Sequence, residues 1–157
     1  MKKSINGAKE SSVQSSTRLK SDLSRPSKRQ CRVFIGENLH CIFVFNRHEI
    51  DLRRSQSVGR WTFYFHKSET NDVRTMLEDM MRRGVAKYSY YTNFENEKIS
   101  NIGFCTIESD ENDLKSQKAI AEYLLKSDLL NDERKQILQF RPGNNAHSIP
   151  ATEYLHK

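Results

Sequence analysis

Apolar and polar residues alternate strictly over residues 61–66. Because successive side chains of a β-strand point to opposite faces, this alternation predicts a strand with one buried face. The predicted core positions are Trp61, Phe63 and Phe65. The opposite face carries Thr62, Tyr64 and His66.

The apolar spacing changes to three and four residues after Asn71, and this change predicts an amphipathic helix. Asn71 is the predicted N-cap, and Gly84 is the predicted C-terminal stop. The apolar face of this helix consists of Val73, Met76, Leu77, Met80 and Met81.

Shorter patterns surround this unit. Two strands are predicted at residues 32–35 and 41–45, and residues 46–58 are predicted to form a long loop. A hairpin follows, with strands at residues 85–94 and 99–107 and a turn at Asn96-Glu97. Acidic capping residues at 109–113 introduce a second helix over residues 114–125. A last strand is predicted at residues 137–140, with a short edge strand near Tyr154-Leu155.

This order of elements predicts an α+β fold. We expect a single curved, mostly antiparallel sheet with two helices on one face. The predicted domain covers residues 32–157, a length that is sufficient to bury a core.

Residues 1–31 differ from the rest of the chain because they are rich in serine and poor in large apolar residues. Residues 1–32 contain nine lysines and arginines against Glu10 and Asp22, a formal charge of +7, while the whole chain carries +6. The segment is therefore predicted to be a disordered basic tail, which attracts polyanions by releasing their counterions. In the predicted domain, the number of lysines and arginines nearly equals the number of aspartates and glutamates.

The chain contains no apolar run long enough to cross a membrane, and we expect no membrane partner. The predicted localisation is cytoplasmic or nuclear, and residues 25–32 (RPSKRQCR) resemble a nuclear-import patch. An organelle transit peptide is the less favoured alternative. The three cysteines, Cys31, Cys41 and Cys105, are widely spaced and predict free thiols; we expect no metal site and no cofactor.

The strand at Gly59-Arg60-Trp61 and the elements after it resemble the second half of the eukaryotic cap-binding initiation factor. The corresponding segments are residues 58–61 and the hairpin residues 97–99 that lead to Phe104 and Thr106. This resemblance implies the fold of that family. The family binds the methylated guanine between two tryptophans, and this chain has one tryptophan. The sequence therefore argues against ordinary cap binding.

The basophilic leukaemia-expressed protein family is a second resemblance and shares this architecture. The matching segments are residues 59–61, Ala86-Lys87, residues 106–110 and residues 140–143. Members of that family are sometimes labelled phosphothreonine lyases. A lyase would need a base and an acid, and Lys87 and His66 are the candidates for these roles.

Our leading hypothesis is a non-catalytic module that binds a phosphorylated ligand or a nucleic acid (RNA). The basic tail would add affinity for RNA or a phosphorylated protein. A protein partner is a further alternative. The alternatives are a phosphothreonine lyase and a subunit of a larger ribonucleoprotein assembly. Arginines suit phosphate, and tyrosines suit stacking on bases. The predicted ligand-binding residues are Arg60, Tyr64, Lys87, Tyr88, Tyr90 and Arg141.

Overall fold

A computed structural model describes residues 30–54, 57–95, 100–143 and 147–156. Within these ranges seven strands form one sheet in the order β1-β2-β4-β5-β3-β6-β7, and neighbouring strands are antiparallel. The predicted α+β class with an antiparallel sheet is therefore confirmed. The predicted tail lies outside these ranges except for its last two residues. The backbone N–H of Cys31 donates to the carbonyl of Arg82 at 2.8 Å.

Strands β1 (Val33–Glu37) and β2 (Cys41–Asn46) form the first hairpin, as predicted. Its turn is fixed by Asn38, whose side-chain oxygen accepts hydrogen bonds from the N–H groups of His40 and Cys41 at 2.9 and 2.8 Å. Helix α1 (Glu49–Arg53) follows, so the prediction of a loop over residues 46–58 was wrong there. Leu52 is its one buried residue, and a Glu49–Arg53 ion pair at 3.5 Å joins its turns.

Strand β3 (Val58–His66) alternates buried odd positions with exposed even positions, as the sequence predicts. Helix α2 (Thr70–Arg82) then buries the five predicted apolar residues. It begins before the predicted N-cap Asn71, directly after the 3-10 helix Lys67–Glu69, and a capping box starts that short helix. The Nδ1 of His66 accepts from the N–H of Ser68 at 3.1 Å, and Glu69 accepts from the N–H of His66 at 2.8 Å. Gly84 ends the helix with a φ of 72°, in the left-handed region that glycine tolerates.

Strands β4 (Tyr88–Thr92) and β5 (Ile102–Asp110) form the second antiparallel pair. The first is shorter than the predicted strand 85–94, and the second continues beyond residue 107. Ser109 and Asp110 therefore belong to β5, and Asp113 caps helix α3 (Leu114–Lys126) by accepting from the N–H of Ser116 at 3.1 Å. The predicted turn at Asn96-Glu97 lies outside the described residues.

The last part of the chain departs most from prediction. Helix α4 (Asp132–Ile137) occupies part of the predicted strand 137–140, and strand β6 (Gln139–Arg141) starts two residues later. The side chain of Asn131 caps α4 by accepting from the N–H of Arg134 at 2.8 Å. The edge strand β7 is Ile149–Pro150, and the residues predicted as an edge strand belong to the 3-10 helix Ala151–His156.

The core lies on one face of the sheet, where α2 and α3 pack against the odd positions of β3. Trp61 is fully buried, and its ring packs between Phe140 and Tyr154 with centroid distances of 5.3 and 5.6 Å. Gly59 lets β6 approach this closely, because a Cβ there would collide with the ring of Phe140 and lie 2.8 Å from the carbonyl oxygen of Arg141. The opposite face of the sheet carries the even positions of β3.

Candidate functional site

A cleft of about 400 Å³ runs along the exposed face of β3 and is named here the β3 groove. The sheet forms its floor, and α4 forms one of its walls. It is lined by Arg60, Thr62, Tyr64 and His66 of β3, by Arg134 and Ile137 of α4, and by Arg141 of β6, among others. Since even positions of a strand are spaced by about 7 Å, the groove extends about 20 Å from Arg60 to His66.

Two arginines lie side by side at one end of this groove. Arg60 and Arg141 are direct partners in the β3–β6 register, an arrangement that places their Cβ atoms roughly 5 Å apart. Like charges at opposed positions repel each other, and a bound anion relieves this repulsion. Arg141 is exposed and forms no ion pair among the described residues. This end of the groove is therefore suited to an anion.

Glu108 of β5 lies next to Arg60 in the same row of the sheet, with Tyr88 on its other side. Its carboxylate is 3.5 Å from the Nε of Arg60. Burial raises the pKa of Glu108, and the nearby charges of Arg60 and Arg53 oppose that rise. Glu108 thus neutralises part of the charge of Arg60, but Arg141 has no such neighbour in the register.

The other end of the groove is held by an ion pair between α4 and the start of α2. Arg134 donates to both carboxylate oxygens of Glu69, at 3.1 and 2.8 Å, and also to the carbonyl of Leu129 at 3.3 Å. The hydrogen bond from Arg134 lowers the pKa of Glu69. The N–H of His66 donates to the same carboxylate, so His66 acts here as a helix cap.

Between these ends the groove is apolar. Tyr64 is 65% exposed, Ile102 55% and Ile137 70%, which are large values for such side chains. An exposed aromatic ring between cationic groups can stack on a planar group whose phosphates the cations bind. The groove therefore places an exposed aromatic ring on the same strand face as the Arg60–Arg141 pair.

The structure brings together only part of the predicted ligand-binding set. Arg60, Tyr64 and Arg141 line the groove, and His66 joins them. Tyr88 and Tyr90 lie on the same face of the sheet but on β4, with β5 between them and β3. The neighbouring Tyr91 points to the core, where it is fully buried and accepts a hydrogen bond from Arg74 at 3.0 Å.

Lys87 lies apart from the groove, one residue before β4, and its carbonyl accepts from the N–H of Asn46 at 3.1 Å. Its neighbour Tyr88 pairs with Glu108, whereas His66 pairs with Ile102. Ile102 and Glu108 are six positions apart on β5, which corresponds to about 20 Å along the strand. The structure does not bring the two candidate lyase residues together.

Three residues that line or border the groove were not predicted from the sequence. Arg134 and Ile137 belong to a helix that was not predicted, and Glu108 had been assigned no role in ligand binding. Asn131 followed by Asp132 and Glu133 was the available signal, because a capping residue with acids in the first turn marks a helix start.

The described ranges show no group of three or more His, Cys, Asp or Glu side chains that could hold a metal ion. Cys31, Cys41 and Cys105 carry free thiols, and burial raises the pKa of Cys105. None of the helices in the described ranges has the length and apolar character that a membrane span requires.

Comparison of the chain with protein-family models, with curated proteins and with solved structures gives no match.

Proposed function

We propose that this protein is a non-catalytic module that binds single-stranded RNA through the β3 groove. The cross-strand arginine pair Arg60–Arg141 carries the proposal, because two adjacent guanidinium groups on an exposed sheet face suit a phosphate. The exposed ring of Tyr64 lies four residues from Arg60 on the same face and offers a base its stacking surface.

The basic tail adds affinity that is independent of sequence. Its cations attract any polyanion, whereas the groove combines a phosphate site with an aromatic ring. RNA is favoured over a phosphorylated protein because a phosphorylated side chain would use the arginines and leave Tyr64 without a planar partner. Assembly into a larger ribonucleoprotein is compatible with this function.

We also propose, from the sequence resemblance, that the domain shares the fold of the cap-binding initiation factor. Support comes from the antiparallel sheet and from α2 and α3, which pack on one of its faces. An experimental structure that superposes on that factor over the whole sheet would test this part of the proposal.

Binding of a fluorescent uridine dinucleotide with a terminal phosphate tests the function in the full-length protein. We expect Arg141→Ala and Tyr64→Ala each to weaken binding about tenfold, since each removes a charge-assisted contact or a stacked base. Arg82→Ala is the matched control, because Arg82 is an exposed arginine in the last turn of α2, away from the groove. Equal effects of Arg82→Ala and Arg141→Ala would contradict the proposal, as would a phosphothreonine peptide that competes as well as RNA.

A further inference from the structure

Aromatic side chains cross the exposed face of the sheet from β3 to β1. Tyr64 of β3 and Phe104 of β5 are direct cross-strand partners. The ring centroid of Tyr90 lies 6.3 Å from that of Phe104. Phe43 lies 5.9 Å from Tyr90 and 6.0 Å from Tyr88. We name this set the aromatic row, and its members are Tyr64, Phe104, Tyr90, Phe43, Tyr88, Phe45 and Phe34.

The ring contacts continue to the end of the row on β1. Phe45 lies 6.1 Å from Tyr88, and Phe34 is stacked on Phe45 at 5.7 Å with an interplanar angle of 20°. The row therefore joins five adjacent strands, β3, β5, β4, β2 and β1, over about 19 Å. Its first member, Tyr64, also lines the β3 groove.

The rings of the row do not belong to the core that α2 and α3 form, as far as the described residues show. They lie on the opposite face and pack on each other, and each stays at least partly accessible to water. A contiguous surface of seven partly accessible aromatic rings is unusual, and such surfaces commonly mark binding sites.

Two arginines place positive charge on this surface. The guanidinium carbon of Arg53 lies 4.1 Å from the ring centroid of Tyr88, and that of Arg32 lies 5.3 Å from the centroid of Phe34. The side chain of Arg53 remains 54% exposed, although it pairs with Glu49. A guanidinium plane over a tyrosine is itself a surface on which a base can stack. The row thus fits a ligand that is both planar and anionic.

We propose that the RNA strand bound in the β3 groove continues across the aromatic row towards β1. Its bases stack on the exposed parts of the rings and on Arg53, and its phosphates lie near Arg53 and Arg32. This inference rests on the proposed function, because the row and the groove share Tyr64. It adds a second subsite and a requirement for a longer strand.

The test compares a uridine dinucleotide with a uridine octanucleotide in the full-length protein. The wild type should bind the octanucleotide at least about tenfold more tightly, because further stacked bases add affinity. Tyr90→Leu should reduce this gain to about twofold and leave the affinity for the dinucleotide unchanged. Arg53→Glu should also reduce the gain with strand length, and it changes an exposed side chain, so the test does not depend on one aromatic substitution being tolerated.

Arg54→Glu is the matched control, because Arg54 is exposed, follows Arg53 directly and makes no ring contact among the described residues. Arg54→Glu should bind the octanucleotide more tightly than the dinucleotide by the same factor as the wild type. The inference would be overturned if Tyr90→Leu and Arg53→Glu kept the wild-type gain in affinity with strand length, or if the wild type showed no gain. In either case, binding of the dinucleotide would still support the groove. Failure of the dinucleotide to bind would instead contradict the proposed function.

Discussion

The carboxylate of Glu69 receives two hydrogen bonds from the guanidinium of Arg134, 65 residues further along the chain. This bidentate pair holds α4 against the N-terminus of α2 and so fixes a wall of the β3 groove. Because Arg134 lowers the pKa of Glu69, folding favours the ionised carboxylate. That contribution to stability is present above the ordinary glutamate pKa and is lost as the pH falls through the lowered value.

We therefore expect Glu69→Gln to lower the free energy of unfolding by about 1 kcal/mol at neutral pH. The difference between variant and wild type should shrink as the solution is acidified. Urea unfolding at a series of pH values measures it. Glu37→Gln, at an exposed position of β1, is the control and should behave like the wild type. A difference that stays constant into acid would contradict the role of this ion pair.

Glu108 predicts how RNA binding depends on pH. Burial raises its pKa, so it takes up a proton above the pH at which ordinary glutamates do. Protonation removes the negative charge that faces Arg60, Arg53 and Tyr88, and RNA affinity should rise roughly fivefold as the pH falls through this pKa. Oligouridylate binding by fluorescence anisotropy measures the effect, because uracil does not titrate in this range.

The variant Glu108→Gln identifies the source of this change. It should bind oligouridylate tightly at neutral pH and lose most of the dependence on mild acidification. If the full rise persists in Glu108→Gln, another group is its cause, and the prediction for Glu108 is wrong.

The close packing at Gly59 predicts that a larger residue there lowers both the stability of the protein and its affinity for RNA. Gly59→Ala places a methyl group against the ring of Phe140 and the backbone of Arg141, and we expect it to cost about 1–3 kcal/mol of stability. RNA binding should weaken as well, because β6 carries Arg141. Gly36→Ala is the matched control in β1, where an added Cβ meets no atom within 4 Å. Thermal unfolding that is equal for the two variants would exclude this explanation.

The basic tail predicts the salt dependence of binding. Deletion of residues 1–30 removes eight lysines and arginines and keeps the hydrogen bond of Cys31 to Arg82. The truncated protein should bind RNA more weakly and with a shallower dependence on salt, by about 0.7 in the logarithmic slope for each phosphate that the tail neutralises. Unchanged affinity and an unchanged slope would show that the tail contributes nothing.

The lyase alternative makes a separate prediction. Because Lys87 and His66 are far apart along β5, we expect a phosphothreonine peptide to keep its mass when incubated with the protein. Loss of phosphoric acid that Lys87→Ala abolishes would contradict a non-catalytic function. Mass spectrometry of the peptide distinguishes the two outcomes.

The sequence predicted β3 and α2 well because long periodic patterns determine which of their faces is buried. Helices α1 and α4 were missed for the opposite reason. The first buries only Leu52 and the second buries no residue, so neither leaves an apolar repeat. The groove was predicted only in part, because Arg134 reaches it through a contact with Glu69 that no local pattern encodes. Alternation in β3 did place Arg60, Tyr64 and His66 on one face.

Trp61 has a practical consequence for all of these experiments. It is the sole tryptophan of the chain, it is fully buried between Phe140 and Tyr154, and it lies on the side of β3 that faces away from the groove. Its emission should therefore be that of a dry indole in the folded protein and should shift to the red when β6 separates from β3. Because Trp61 does not line the groove, tryptophan fluorescence should report folding independently of a ligand bound there, and each variant can be checked for folding in the same cuvette in which its binding is measured.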